Sequence, residues 1–154
     1  MMEITSYDDA LVVATKDDLT GRHVITTRAF RAGEVILRIT GHREVTVADR
    51  FTVQVGANAH IDQLGPLTYL NHSCAPNVIF NTSEFTLVAI CDIAVSEELC
   101  FFYPSTEWCM AEPFDCLCGA ATCVGVVAGA MALSDDTLSR FFVNRHIQKL
   151  HRGS

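Results

Sequence analysis

The sequence predicts one mostly-β domain built of several small sheets, and three observations predict it. Short runs of β-branched and aromatic residues recur through the first hundred positions at a spacing of about ten residues. Turn-forming clusters separate these runs with no amphipathic helical stretch between them, which excludes a doubly wound βαβ arrangement. Hydrophobic residues make up 49% of the chain and charged ones 19%, and 154 residues are enough to bury a core without staples.

Leu11–Thr15 opens the series of strands, and a turn from Asp17-Asp18 to Gly21 leads into His23–Ala29. Ala32-Gly33 turns the chain into Glu34–Thr40, and Gly41 closes that strand. Phe51–Val55 follows and ends at Gly56-Ala57-Asn58; Gly65-Pro66 marks the next break. Ala75-Pro76-Asn77 precedes Val78–Asn81, the segment Asn81 to Glu84 reads as a tight turn, and Phe85–Cys91 returns from it. Leu99–Tyr103 completes the set. The C-terminal part differs: Ser134-Asp135-Asp136 offers an N-cap with acidic residues in the first turn, and Leu138, Phe141 and Phe142 supply an apolar face. This predicts a helix from about Asp135 to Asn144, followed by a frayed tail over about Gln148 to Ser154. There is no internal repeat and no linker.

Eleven basic against eighteen acidic residues give a net charge of −7, and the pI is near 5.2. A surface that grips nucleic acid needs a surplus of Lys and Arg, so direct nucleic-acid binding is not expected. An acidic surface attracts basic proteins or peptides instead. Met1 to Lys16 carries Glu3, Asp8 and Asp9 and no basic leader, and the longest apolar stretch, Val124 to Leu133, is too short to span a bilayer. The expected setting is intracellular, cytoplasmic or nuclear, with no membrane partner.

Seven cysteines in a reducing compartment read as metal ligands or as small buried hydrophobes rather than as disulfides. Cys116-Leu-Cys118-Gly-Ala-Ala-Thr-Cys123 places three thiols on one tight loop, with Gly119 to turn the chain back. Three thiolates so placed can occupy three corners of a tetrahedron around Zn2+, at about 2.3 Å from the ion. Cys74 is the first candidate for the fourth corner, with Cys91, Cys100 and Cys109 as rivals; the strand-like and aromatic settings of those three suit buried free thiols.

The segment Asn71-His72-Ser73-Cys74-Ala75-Pro76-Asn77 follows an apolar run, and Glu97-Glu98-Leu99-Cys100-Phe101-Phe102-Tyr103-Pro104 comes about thirty residues later. Together with the cysteine loop, and with Gly21-Arg22-His23-Val24 and Arg31-Ala-Gly33-Glu34-Val35-Ile36 upstream, this order of motifs resembles the SET-domain protein lysine methyltransferases that carry a post-SET zinc loop. The resemblance runs from about Leu11 to Gly125. It implies a β-clip fold of several small sheets with pseudoknot-like threading, a SET domain over 11–108, a post-SET loop over 109–126, and a C-terminal helix and tail over 127–154. It also implies S-adenosylmethionine in a cleft on one side and a target lysine entering from the other.

By position, Asn71 and His72 would meet the cofactor, with Gly21, Arg22 and His23 shaping the opposite wall. Tyr103 would be the active-site tyrosine and Phe101, Phe102 and Trp108 would line the substrate channel; a Phe at 101 leaves room for higher methylation states. Trp108 and Phe114 read either as covers over the site or as core filling. Cys74, Cys116, Cys118 and Cys123 would hold the zinc.

The sequence departs from the family at three places near the cofactor. His23 stands where a second glycine lets the backbone approach closely, Ser96 replaces a turn glycine, and Phe102 replaces an acidic residue. There is no pre-SET cysteine cluster, and the stretch between Gly41 and Asn71 is short. These departures support a second expectation, a SET-like protein repurposed as a small-molecule cyclase. In it an aromatic channel would fold a polyene while His23 and Tyr103 activate a carbonyl.

Overall fold

A computed structural model describes residues 2–4, 10–15 and 21–153, so the turn read at Asp17-Asp18 lies outside the described residues, as does the last residue of the tail. The strands run β1 (Met2–Ile4), β2 (Leu11–Thr15), β3 (Arg22–Thr26), β4 (Val35–Arg38), β5 (Arg43–Val45), β6 (Val53–Gln54) and β7 (His60–Asp62). They continue as β8 (Asn71–His72), β9 (Val78–Asn81), β10 (Thr86–Ala89), β11 (Cys100–Phe101), β12 (Phe114–Asp115) and β13 (Val126–Val127), with helices α1 (Asp135–Leu138) and α2 (Arg145–Gly153) at the end. Among the described residues no helix is long and apolar enough to cross a membrane.

The sheets are small, as the turn spacing requires: β1-β2-β3, β4-β10-β9 and β5-β7-β6 are three-stranded, and β8–β11 and β12–β13 are pairs. The hairpin between β9 and β10 forms because Asn81 Oδ1 accepts the N–H groups of Ser83 and Glu84, both at 2.9 Å, and Phe85 takes a positive φ of 52°. Alternate residues of these strands point inward, and Leu11, Val24, Ile61, Leu64, Phe80, Leu87, Ile93 and Leu99 form one buried core. Their burial is the main stabilising term.

The chain threads where β8 lies parallel to β11, pairing Asn71 with Cys100 and His72 with Phe101. Asn77 locks the arrangement. Its Nδ2 donates to Glu98 O at 2.8 Å and to Glu97 Oε2 at 2.9 Å, while its Oδ1 accepts the Cys100 N–H at 2.9 Å. Leu99 N–H donates to Val24 O at 2.9 Å, so the strand carrying the Glu-Glu-Leu residues is tied to β3 as well.

The C-terminal region corrects the expectation. The cap is real, with Ser134 Oγ accepting the Thr137 N–H at 3.1 Å, but the helix expected over 135–144 stops at Leu138. Phe141 leaves the helical path to stack on Phe102 with ring centroids 3.7 Å apart. Asn144 then turns fully inward, its Nδ2 donating to Phe80 O and Ser105 O at 2.8 and 2.9 Å and its Oδ1 accepting the Thr82 N–H at 2.9 Å. Where a frayed tail was expected, α2 forms, because Ile147 is buried against Ala130 and Leu138 and His146 meets Thr106 O at 2.8 Å.

Candidate active site and metal centre

Three stretches enclose a cavity of about 810 Å³: the approach to β6, the segment from Leu67 to Ser73, and the chain from Glu98 through Tyr103 and Glu107 to Cys118. Parallel pairing of β8 and β11 brings His72 and Phe101 to the same wall. Just past β11 the chain coils into a short 3₁₀ turn, Tyr103–Ser105, which sets Tyr103 into the cavity.

The Tyr103 hydroxyl donates to the Leu70 carbonyl at 2.5 Å, and burial holds its pKa well above the usual phenol range. It is therefore a neutral phenol whose proton is engaged and whose oxygen lone pairs remain available as acceptors. The Tyr103 N–H donates to His72 Nδ1 at 3.1 Å, which places the His72 ring proton on Nε2, 3.2 Å from Cys74 Sγ. Burial lowers His72 to about 4, so it is neutral at pH 7.

The structure assembles Cys74, Cys116, Cys118 and Cys123 with all four sulfurs within 4.8 Å of one another. A tetrahedral site with bonds of about 2.3 Å has sulfur–sulfur edges of about 3.8 Å, and Cys74 and Cys116 already stand 3.9 Å apart. The cluster thus fits a tetrahedral metal ion. Backbone N–H groups reinforce it: that of Val124 donates to Cys74 Sγ at 3.4 Å, and those of Ala120 and Cys74 lower the Cys118 pKa. Burial pushes the Cys74 and Cys116 thiols up, and a bound cation would favour their ionised forms. Among the rivals for the fourth corner, Cys91 and Cys109 are exposed, not the buried thiols their settings suggested, and Cys100 is half-buried.

The residues expected on the cofactor side divide. Asn71 and His72 line the cavity. Asn71 Nδ2 reaches Arg22 O at 3.3 Å and Glu98 Oε2 at 3.0 Å, so the segment around Arg22 is tied to it from outside the lining. Arg22 turns to Tyr69, its Nη1 donating to the hydroxyl at 2.8 Å. Gly21 holds a positive φ of 76° and His23 pairs with Ala14 across β2 and β3. Neither Gly21, Arg22 nor His23 lines this cavity, and His23 Nδ1 is buried without a partner among the described residues. His23 and Tyr103 therefore do not share the chamber in which a joint action on a carbonyl was expected.

The channel residues divide too. Phe101 lines the cavity, its ring 4.9 Å from that of Tyr103. Phe102 faces the other way and lines a separate cavity of about 220 Å³ with Phe141 and Phe142. Trp108 packs with Ala130, Leu138 and Ile147 in the C-terminal cluster. Phe114 lies edge-on to both His72 and Tyr103, with ring centroids 6.0 Å from each.

Sequence reasoning missed the charge of the wall. Asp49, Glu98, Glu107, Glu112 and Asp115 line the cavity against one cation, Arg50. Glu107 is the most recessed of them. Its Oε2 accepts the Gln54 N–H at 2.9 Å and the Thr106 hydroxyl at 2.7 Å, and burial raises its pKa to about 6. A lone carboxylate inside the aromatic stretch from Phe101 to Trp108 was the available signal. A wall of this sign concentrates cations.

The family model described as the SET domain matches residues 21–104, more than half of the chain. Methyltransferase flvH of Aspergillus flavus is 38% identical over 127 residues, covering 81% of this chain and 71% of that protein. The crystal structure of KRYPTONITE in complex with mCHG DNA and SAH has the same fold, with a TM-score of 0.59 at 21% identity. That match covers 75% of this chain, which spans only 28% of the length of the other.

Proposed function

We propose that this chain, a member of the SET-domain methyltransferase family, transfers a methyl group from S-adenosylmethionine to the lysine amine of a basic protein or peptide. Tyr103 carries the reading, because its engaged hydroxyl proton leaves acceptor lone pairs facing an acid-walled cavity of about 810 Å³. The cofactor supplies an electrophilic methyl on a cationic sulfonium. Asn71 and His72 are the residues of this wall that would hold it, and the acidic lining suits its charge. Cys74, Cys116, Cys118 and Cys123 would hold a structural zinc, which would tie down the 109–126 loop beside the site.

The chain's own residues have two tasks. Methyl transfer is an in-line displacement, so positioning and electrostatics supply most of the catalysis. The amine must also arrive neutral, and a free lysine with a pKa near 10.4 costs about 4–5 kcal/mol to deprotonate at pH 7. The carboxylates around the cavity gather the ammonium form. The apolar floor of Phe101, Leu70 and Tyr103 then disfavours its charge by desolvation. Tyr103 O accepts a weak C–H bond from the reacting methyl or an N–H bond from the amine.

The test is calorimetric titration of zinc-loaded protein with S-adenosylmethionine and S-adenosylhomocysteine, followed by intact-mass detection of methyl transfer to lysine-rich peptides. Micromolar cofactor binding and added methyl mass on lysine support the proposal. A folded protein that binds neither form of the cofactor overturns it.

A further inference from the structure

We infer that Glu107 is the specificity-determining residue of the cavity, its carboxylate meeting the ammonium of the incoming amine. This deepens the proposed amine methylation and rests on it. Glu107 lies one turn beyond Tyr103, with its N–H donating to Tyr103 O at 3.0 Å, and both side chains line the same chamber. Its Oε2 is fixed from two sides by Gln54 N–H at 2.9 Å and Thr106 Oγ1 at 2.7 Å, and its main-chain oxygen accepts the Ala130 N–H at 2.8 Å. These bonds hold Oε2 in place and leave Oε1 toward the cavity.

Among the described residues no cation pairs with Glu107 and no donor meets Oε1. The one cationic side chain of the wall, Arg50, lies over the Phe51 ring, its guanidinium carbon 5.0 Å from the centroid. Oε1 is not among the buried atoms left without a partner, so it opens to the cavity, where it can accept from a cationic ligand. Holding Gln54 and Thr106 does not require a charge, since a glutamine oxygen would accept the same two bonds. The free oxygen and the charge together suit an ammonium ligand. The amino group of the cofactor offers the same chemistry. The Gln54 anchor, however, comes from β6, while Arg22 is tied to Asn71 on another part of the wall. The S-adenosylhomocysteine affinity of Glu107→Gln separates the two sources of the amine.

The test compares n-hexylammonium with 1-hexanol as probes of the zinc-loaded protein by ligand-observed NMR, in wild type and in Glu107→Gln and Glu107→Asp. Wild type is expected to prefer the amine by about tenfold or more, as a charged hydrogen bond provides. Glu107→Gln should lose that preference and Glu107→Asp retain it, with 1-hexanol and S-adenosylhomocysteine affinities unchanged. In methyl transfer, Glu107→Gln should raise KM for a lysine peptide by about tenfold. An equal preference in wild type and Glu107→Gln overturns the inference. So does loss of S-adenosylhomocysteine affinity with amine binding intact, or a wild type that does not distinguish the two probes. If the preference behaves as expected but no amine is methylated, Glu107 keeps its role and the methylation reading fails alone.

Discussion

Residues 110–126 contain no fully buried side chain, yet they form one wall of the cavity, and the only strand pairing they take part in is that of β12 with β13. Such a segment has no core to offset the entropy of ordering it, so its order is expected to depend on a metal ion held by the four cysteines. Structural zinc sites contribute about 10–16 kcal/mol of apparent binding free energy. Cys118→Ser is the cleanest way to remove that contribution, because Cys118 is exposed and its replacement disturbs no packing, whereas Cys74 is only 1% exposed. The expected result is local melting. Amides of 110–126, including the Cys116 N–H that bonds Gly125 O at 2.7 Å, should lose protection in hydrogen–deuterium exchange. Amides around Phe80, Leu87 and Leu99 should keep theirs, because they lie in the main core. The helix α2 should hold as well, since Asn144 anchors it through Phe80, Ser105 and Thr82. S-adenosylhomocysteine affinity should fall with the wall. Folded wild-type protein that contains no zinc by elemental analysis, and still protects 110–126, would refute the reasoning.

Three further outcomes are expected. Tyr103→Phe removes the donor to Leu70 O, so stability should fall by about 1–3 kcal/mol. Turnover should fall far more than S-adenosylhomocysteine affinity, and equal turnover would take Tyr103 out of the mechanism. Glu107 titrates at about 6 in the folded protein against an ordinary 4.5, so the folded state holds its proton more tightly. That contribution is full below pH 4.5 and is lost as pH rises through 6. Glu107→Gln should therefore be more stable than wild type by roughly 2 kcal/mol in urea melts at pH 7–8 and no different at pH 4. Gly129 holds a φ of +111°, and a Cβ there would stand 2.4 Å from the Trp108 carbonyl oxygen. Gly129→Ala should separate this stretch from residues 107–110, cost about 3 kcal/mol or more, and lower Tm accordingly.

The fold was legible wherever local propensity and burial agree. Leu11–Thr15 and Val78–Asn81 have the same ends in sequence and structure, because apolar residues carry them into the core, and the Asn81 turn stops the second. His23–Ala29 was expected to be longer than β3 is, since the chain must leave that sheet for Phe30 to bridge Ile93. β5, β7, β8, β12 and β13 were not legible at all. Each is two or three residues long and exists because a distant partner is there, which no local pattern encodes. The helix α2 escaped notice for a related reason: only His146 and Ile147 of its nine residues are buried, too few to mark a face.

At the site, sequence order named residues and distance chose among them. Nothing local separates Cys74 from Cys91, Cys100 and Cys109 as a fourth ligand; the threading beside β11 does, by bringing Cys74 to within 3.9 Å of Cys116. Phe101 and Phe102 teach the opposite lesson, because their division was available in advance. Consecutive residues of an extended strand face opposite sides, so the two rings could never both line the channel beside Tyr103. Phe101 faces the cavity, and Phe102 is left to stack on Phe141. That stack diverts the chain at Phe141, so the ring that cannot serve the site helps to end α1 early. The diversion also brings Asn144 to its place beneath Ser105, one turn from Tyr103. The C-terminal region is in this way part of what holds Tyr103 in position.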